Sequence, residues 1–170
     1  MRAILSAQAP TSASVASYNN HVGVPISLAR LPREARYGIF EIGMNHPGEI
    51  APLARIARPD VAMITTVAAA HLEAFASIEG IAREKAAIFE GLEAGGTAVI
   101  NSDLKVTPIL RAAAEAQSAR IVSFGQGDGA AYRITDLALH PGVTVARGVA
   151  GGQPVLLKVA SEGQIGRAHV

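Results

Sequence analysis

Apolar positions along this 170-residue chain switch repeatedly between a strand-like and a helix-like period. Tyr37 to Gly43 reads as a strand, closed by a glycine and an Asn45-His46-Pro47-Gly48 turn. From Glu49 to Arg58 the spacing of Ile50, Leu53, Ala54, Ile56 and Ala57 is helical, and Pro59 stops it. Asp60 to Val67 is nearly continuous in apolar residues, as a strand buried on both faces would be. Ser77 to Leu92 carries the clearest helical pattern, with Ser77 as N-cap, Glu79 in the early turns and Gly95-Gly96 beyond the end. A strand is expected over Thr97–Asn101, a helix over Thr107–Gln117 and a strand over Arg120–Phe124.

Strands alternating with helices at these distances predict right-handed crossovers, hence an α/β fold with a mostly parallel sheet flanked by helices. The pattern changes after Phe124. A glycine-rich turn, 125–129, leads into three successive strands, Tyr132–Leu139, Gly142–Val149 and Pro154–Ala160, expected to form a small antiparallel β appendage over 130–160. Ligands of parallel sheets bind at the carboxyl ends of the strands, which directs attention to residues just past each strand.

Composition narrows the function classes. Aromatic residues make up only 4% and the formal charge is +1, so neither a base-stacking platform nor a basic footprint for nucleic acid is present. Cysteine is absent, which removes disulfides, thiolate zinc sites and cysteine nucleophiles. No apolar run reaches the roughly 18 residues that a membrane span needs. The opening residues turn polar too soon for a secretory signal, so the cytoplasm is the expected compartment.

Several side chains fall where the topology rule points. Glu41 lies near the end of an apolar strand, where it is either an edge carboxylate facing water or an oxygen ligand for Mg²⁺. His71 follows the Val61–Val67 run in a loop, as an ordinary loop histidine or a ligand. Lys85 occupies a step of the stripe Ile78, Ile81, Lys85, Ile88, Leu92. On that face it either snorkels to the helix edge or is a desolvated amine of lowered pKa that can take up CO₂. Asn101 ends a strand and can cap the next helix or meet a nucleotide. The uncharged polar run Thr11 to Asn20, with Ser17 and Asn19, suits contacts to sugar or phosphate as well as it suits a loop. No G-x-x-x-x-G-K-[ST] phosphate loop occurs in the chain.

Four blocks taken together resemble the Mur ligases. They are Ser14-Val15-Ala16-Ser17-Tyr18-Asn19-Asn20-His21-Val22-Gly23-Val24-Pro25, Phe40-Glu41-Ile42-Gly43-Met44-Asn45-His46-Pro47-Gly48-Glu49-Ile50, Ala68-Ala69-Ala70-His71-Leu72-Glu73-Ala74-Phe75 and Ala82-Arg83-Glu84-Lys85-Ala86-Ala87-Ile88-Phe89. The Asn45-His46-Pro47-Gly48 form favours the branch that joins D-alanyl-D-alanine (D-Ala-D-Ala) to UDP-N-acetylmuramoyl-tripeptide (UDP-MurNAc-tripeptide). The resemblance implies the P-loop-type central domain and ATP-driven amide formation through an acyl phosphate. It implies ATP and Mg²⁺ as cofactors, with Glu41, His71 and carbamylated Lys85 as metal ligands whose cations offset phosphoryl charge. Asn101 would lie near the nucleotide, and Thr11, Ser17, Asn19 and Asn20 would face the UDP-muramoyl peptide. A monomer is expected. Residues 1–164 are then a partial central domain whose phosphate loop is expected upstream of Met1, and 165–170 a non-native tail; the piece alone is expected to be inactive. Two other readings stand beside this one. One is another amide ligase of the same superfamily, acting on a different amino acid or on folate; the other is a non-catalytic α/β binding domain.

Overall fold

The computed structural model describes residues 1–14, 18–69 and 73–160. In chain order the elements are α1 (Arg2–Ser6), β1 (Thr11–Ala13), α2 (Gly23–Ala29), β2 (Tyr37–Ile39), α3 (Ile50–Ala57), β3 (Val61–Ile64) and α4 (Ile78–Ala86). A 3-10 segment (Ala87–Gly91) continues α4, followed by β4 (Thr97–Asn101), α5 (Thr107–Ala116), β5 (Arg120–Gly125), β6 (Tyr132–His140), β7 (Val143–Ala150) and β8 (Gln153–Val159). The described strands form two sheets: β1 pairs with β2 in parallel, and β3-β4-β5-β6-β7-β8 run in that order. Within the larger sheet β3, β4, β5 and the start of β6 are parallel, while β6, β7 and β8 are antiparallel. The expected α/β fold with an antiparallel appendage is therefore what forms.

The core lies between the parallel strands and one helical layer. Ala62, Ile64, Ala98 and Ile100 from the sheet meet Ile81, Ala82, Ala86, Phe89, Leu110 and Ala114 from the helices. Small residues at Ala82, Ala86 and Ala114 let the helix backbones approach one another and the sheet. Gly91 marks a tight approach between helical segments: a Cβ there would lie 2.2 Å from the backbone carbon and oxygen of Ala54 in α3. Ser77 caps α4 as its sequence position predicts, its hydroxyl accepting from the Gly80 N–H at 3.1 Å. Arg58 ends α3 in the left-handed region (φ 48°), with Pro59 next in the chain.

Two strands are shorter than the apolar runs predict. β2 stops at Ile39 because its partner β1 stops at Ala13, leaving Phe40 to Gly43 outside any ladder. β3 stops at Ile64, where side chains replace the ladder: the Asn101 amide donates to the Thr65 carbonyl at 3.0 Å. The uncharged polar run contains β1, and α2 lies where no element was expected.

Candidate active site at the carboxyl edge

Parallel β3, β4 and β5 place their carboxyl ends on one edge, and Lys85 reaches it from α4. Its Nζ donates to the Thr66 carbonyl at 3.0 Å, just past the end of β3. The side chain is partly buried. Desolvation holds the amine below the ordinary lysine pKa, since burial penalises the ammonium form. Of the stripe on which Lys85 falls, Ile81 is fully buried and Ile78 exposed, while the Lys85 amine is turned to the strand end.

Asn101 reaches the same place from β4. Its Nδ2 donates to the Thr65 carbonyl, while its Oδ1 accepts from the Asp103 N–H at 2.9 Å. Ser102 and Asp103 extend this stapling to β5 and its loop. The Ser102 hydroxyl donates to the Phe124 carbonyl at 3.0 Å, and the Asp103 carboxylate accepts from the Gln126 and Gly127 amides at 2.7 and 3.0 Å. Three consecutive polar residues thus hold the ends of three strands together, and consecutive carbonyls past β3, Thr65 and Thr66, are fixed by Asn101 and Lys85.

A second cluster forms past β2. Glu41 is exposed, and its Oε1 accepts from the Asn19 amide at 3.2 Å. The Asn19 carbonyl accepts from the Gly43 N–H at 2.8 Å, and a Cβ on Gly43 would sit 2.7 Å from Asn19 Nδ2. The turn that follows is closed by Glu49, whose Oε2 accepts from the Asn45 and His46 amides at 2.6 and 3.2 Å. Those backbone bonds, Asn45 first, hold the Glu49 carboxyl below the usual range.

Glu84 of α4 joins the two clusters, accepting from the Gly48 and Ile50 amides at 2.8 and 2.9 Å. Between the Pro47 turn and α4 lies an open cleft of about 480 Å³, lined by Pro47, Phe75, Gly80, Arg83, Glu84 and Glu90 among others. Lys85 lies on a different side of α4 and does not line it.

Of the remaining expected site residues, Thr11 sits in β1 with its hydroxyl donating to the Ala9 carbonyl at 2.8 Å. Asn20 is committed locally: its Oδ1 accepts from the Val22 and Gly23 amides at 3.1 and 2.9 Å, capping α2. His71 and Ser17 lie outside the described residues. Among the described residues no group of three or more His, Cys, Asp or Glu side chains is gathered to hold a metal ion. Sequence reasoning missed the role of Glu84, whose partners are distant backbone amides that leave no mark in a residue pattern. The cap at Asn20 did leave one: an Asn just ahead of a helical stretch.

These features define an α/β domain with its polar and ionisable side chains assembled at the carboxyl edge of a parallel sheet. The chain belongs to the Mur ligase family, whose middle domain matches residues 1–161. It is 45% identical over 101 residues to the UDP-N-acetylmuramoyl-tripeptide–D-alanyl-D-alanine ligase of Escherichia coli K12, a match covering 59% of this chain and 22% of that protein. A crystal structure of MurF from Acinetobacter baumannii superposes with a TM-score of 0.86 at 32% identity, over 95% of this chain and 34% of that one. MurF ligase from Thermotoga maritima, solved in complex with ADP, superposes with a TM-score of 0.79 at 27% identity, over 91% of this chain and 35% of that one. The chain thus spans about a fifth to a third of the length of these relatives.

Proposed function

We propose that this domain is the ATP-binding middle part of a ligase that joins D-alanyl-D-alanine to UDP-N-acetylmuramoyl-tripeptide, a precursor of cell-wall peptidoglycan. The observation that carries the reading is the desolvated Lys85 amine at the carboxyl end of β3. The names of the relatives supply the choice of substrates.

Mg²⁺ takes oxygen ligands and is usually shared with substrate phosphates. The exposed carboxylate of Glu41, steadied by Asn19, is such a donor. Lys85 is not one as an ammonium. As the neutral amine, which its burial favours, it adds CO₂ and releases a proton, leaving an N-carboxylate with two oxygens. These oxygen donors suit hard cations: Glu41 would hold one, and carbamylated Lys85 with His71 a second. Bound there, Mg²⁺ would offset negative charge on the phosphates of ATP.

The chain's own residues orient this chemistry. Asn19 holds Glu41, and Asn101, with both ends of its amide used at the strand ends, would border the nucleotide. Thr11, Ser17, Asn19 and Asn20 would line the approach of the UDP-muramoyl peptide, Asn20 through the shape of the α2 entry it caps. We place the reaction in the cytoplasm, with the complete protein acting as a monomer. No described helix is long and apolar enough to cross a membrane.

The test is ATP-dependent formation of the joined product, followed by mass spectrometry on the complete protein that contains this domain. Lys85→Ala is expected to slow it by about 10²–10³-fold, the usual effect of removing one element of transition-state charge stabilisation. Absence of product from the unmutated protein, or a Lys85→Ala variant of unchanged rate, would sink the proposal.

A further inference from the structure

Helix α4 carries two consecutive ionisable side chains that leave it in different directions. Lys85 runs to the Thr66 carbonyl past β3, and Glu84 runs to the Gly48 and Ile50 amides past β2. Adjacent residues on a helix point about 100° apart, so one turn of α4 bridges the loops that follow two different strands.

The Glu84 contact is unusual in what it satisfies. The first N–H groups of a helix have no partner within it. At α3 the Ile50 N–H, together with that of Gly48 just ahead of the Glu49 N-cap, is met by a carboxylate from another helix, 34 and 36 residues further along the chain. Negative charge is favourable at that end of a helix, and hydrogen bonds to an ionised group are the strong kind. Using both oxygens fixes orientation as well as distance. Packing holds Met44 against the core but not the turn that follows, because Asn45, His46, Pro47 and Gly48 are all exposed. Glu49 closes the turn from within but ties it to nothing else in α4.

We propose that Glu84 is a positioning residue that sets where the Glu41–Gly48 segment stands relative to Lys85, and thereby the affinity of the site for Mg²⁺. The proposal rests on the reading of Glu41 and Lys85 as metal ligands given above.

The experiment uses the complete protein with Mg²⁺ and a non-hydrolysable ATP analogue, reading Mg²⁺ affinity by calorimetry. Amide hydrogen exchange at Gly48 and Ile50 and the thermal midpoint are read alongside. Glu84→Gln keeps the shape but has one acceptor oxygen, and its NH₂ group would face the second N–H. It is expected to weaken Mg²⁺ binding about tenfold, the scale of one lost charge-assisted hydrogen bond, and to speed exchange at both amides. Glu84→Ala removes the same bonds without an amide set against an N–H, and should do likewise. Glu90→Ala is the control: it removes the Glu90 bond to Arg55 of α3, another link from the α4 arm to α3, and should leave Mg²⁺ affinity as it was. Glu84 variants that lower the thermal midpoint while Mg²⁺ affinity stays at the unmutated value would overturn the proposal, leaving Glu84 a stability residue only. Should the unmutated protein form no joined product while Glu84→Gln still weakens Mg²⁺ binding, the positioning role stands and the ligase reading alone falls.

Discussion

Lys85 is one of three lysines in the chain, with Lys105 and Lys158, and it alone combines partial burial with a backbone carbonyl at the sheet edge. Lowering an amine's pKa enlarges its neutral fraction at every pH below the ordinary lysine value of about 10.4, and only the neutral form adds CO₂. Isotopically labelled CO₂ followed by chemical trapping of carbamates should therefore mark the Lys85 peptide near neutral pH. A lysine in a short unstructured peptide should need more alkaline conditions. Label spread evenly over the three lysines, or appearing on Lys85 only near pH ~10, would count against the carbamate. The sequence announced this residue because a charge on an apolar stripe is costly and so stands out. Glu41 was legible as an acid near the end of a strand. What surrounds them was not: the carboxylate that ties their loops together, Glu84, differs in sequence terms not at all from a solvated helix glutamate. Its partners are backbone N–H groups, and a residue pattern says which side is buried without saying which amide stands opposite.

Among the elements, the contact of α3 with the 3-10 segment is the least forgiving. A methyl group on Gly91 would lie 2.2 Å from both the carbon and the oxygen of the Ala54 backbone, and 2.8 Å from its Cβ. Backbone cannot swing away as the end of a long side chain can. Gly91→Ala should therefore cost about 3 kcal/mol or more of unfolding free energy, the upper range for overpacking, read from the denaturant midpoint. A variant within about 0.5 kcal/mol of the unmutated protein would mean that α3 shifts freely, against the packing described. Elements with a strong period and a punctuating residue were legible in advance: α4 with its Ser77 cap, α3 with Pro59 behind it, and the three appendage strands. The early part was not. β1 is three residues of Thr, Ser and Ala, which form a strand because β2 offers a parallel ladder, a tertiary cause that local propensity does not contain. The runs ending at Gly43 and Val67 were overextended for the complementary reason: an apolar stretch counts as strand only as far as a neighbour pairs with it.

For the molecule as a whole, much apolar surface is left uncovered, and two patches of it lie on strands. One is the gap in the sheet. Among the described residues β2 pairs only with β1 and β3 only with β4, and on β3 Val61 and Met63 are 57% and 37% exposed. The other is one face of the appendage. The register sets Leu137 and Leu139 of β6 beside Ala146 and Thr144 of β7, and these beside Leu157 and Val159 of β8. The middle pair is buried by its neighbours, yet the four flanking side chains are between 37% and 56% exposed. Open strand edges and apolar faces both drive association, but β8 carries Pro154 and Lys158, residues that blunt edge pairing. The face is thus the stronger cause at that end. The isolated 170-residue chain should associate with rising concentration in sedimentation or light-scattering measurements. Replacing Leu139 and Leu157 together by lysine, which changes the face and leaves every ladder bond in place, should shift it towards monomer. If the double variant associates as before, the unpaired edges of β2 and β3 are responsible. If the unmutated chain is monomeric at all concentrations, neither surface is as adhesive as its exposure implies.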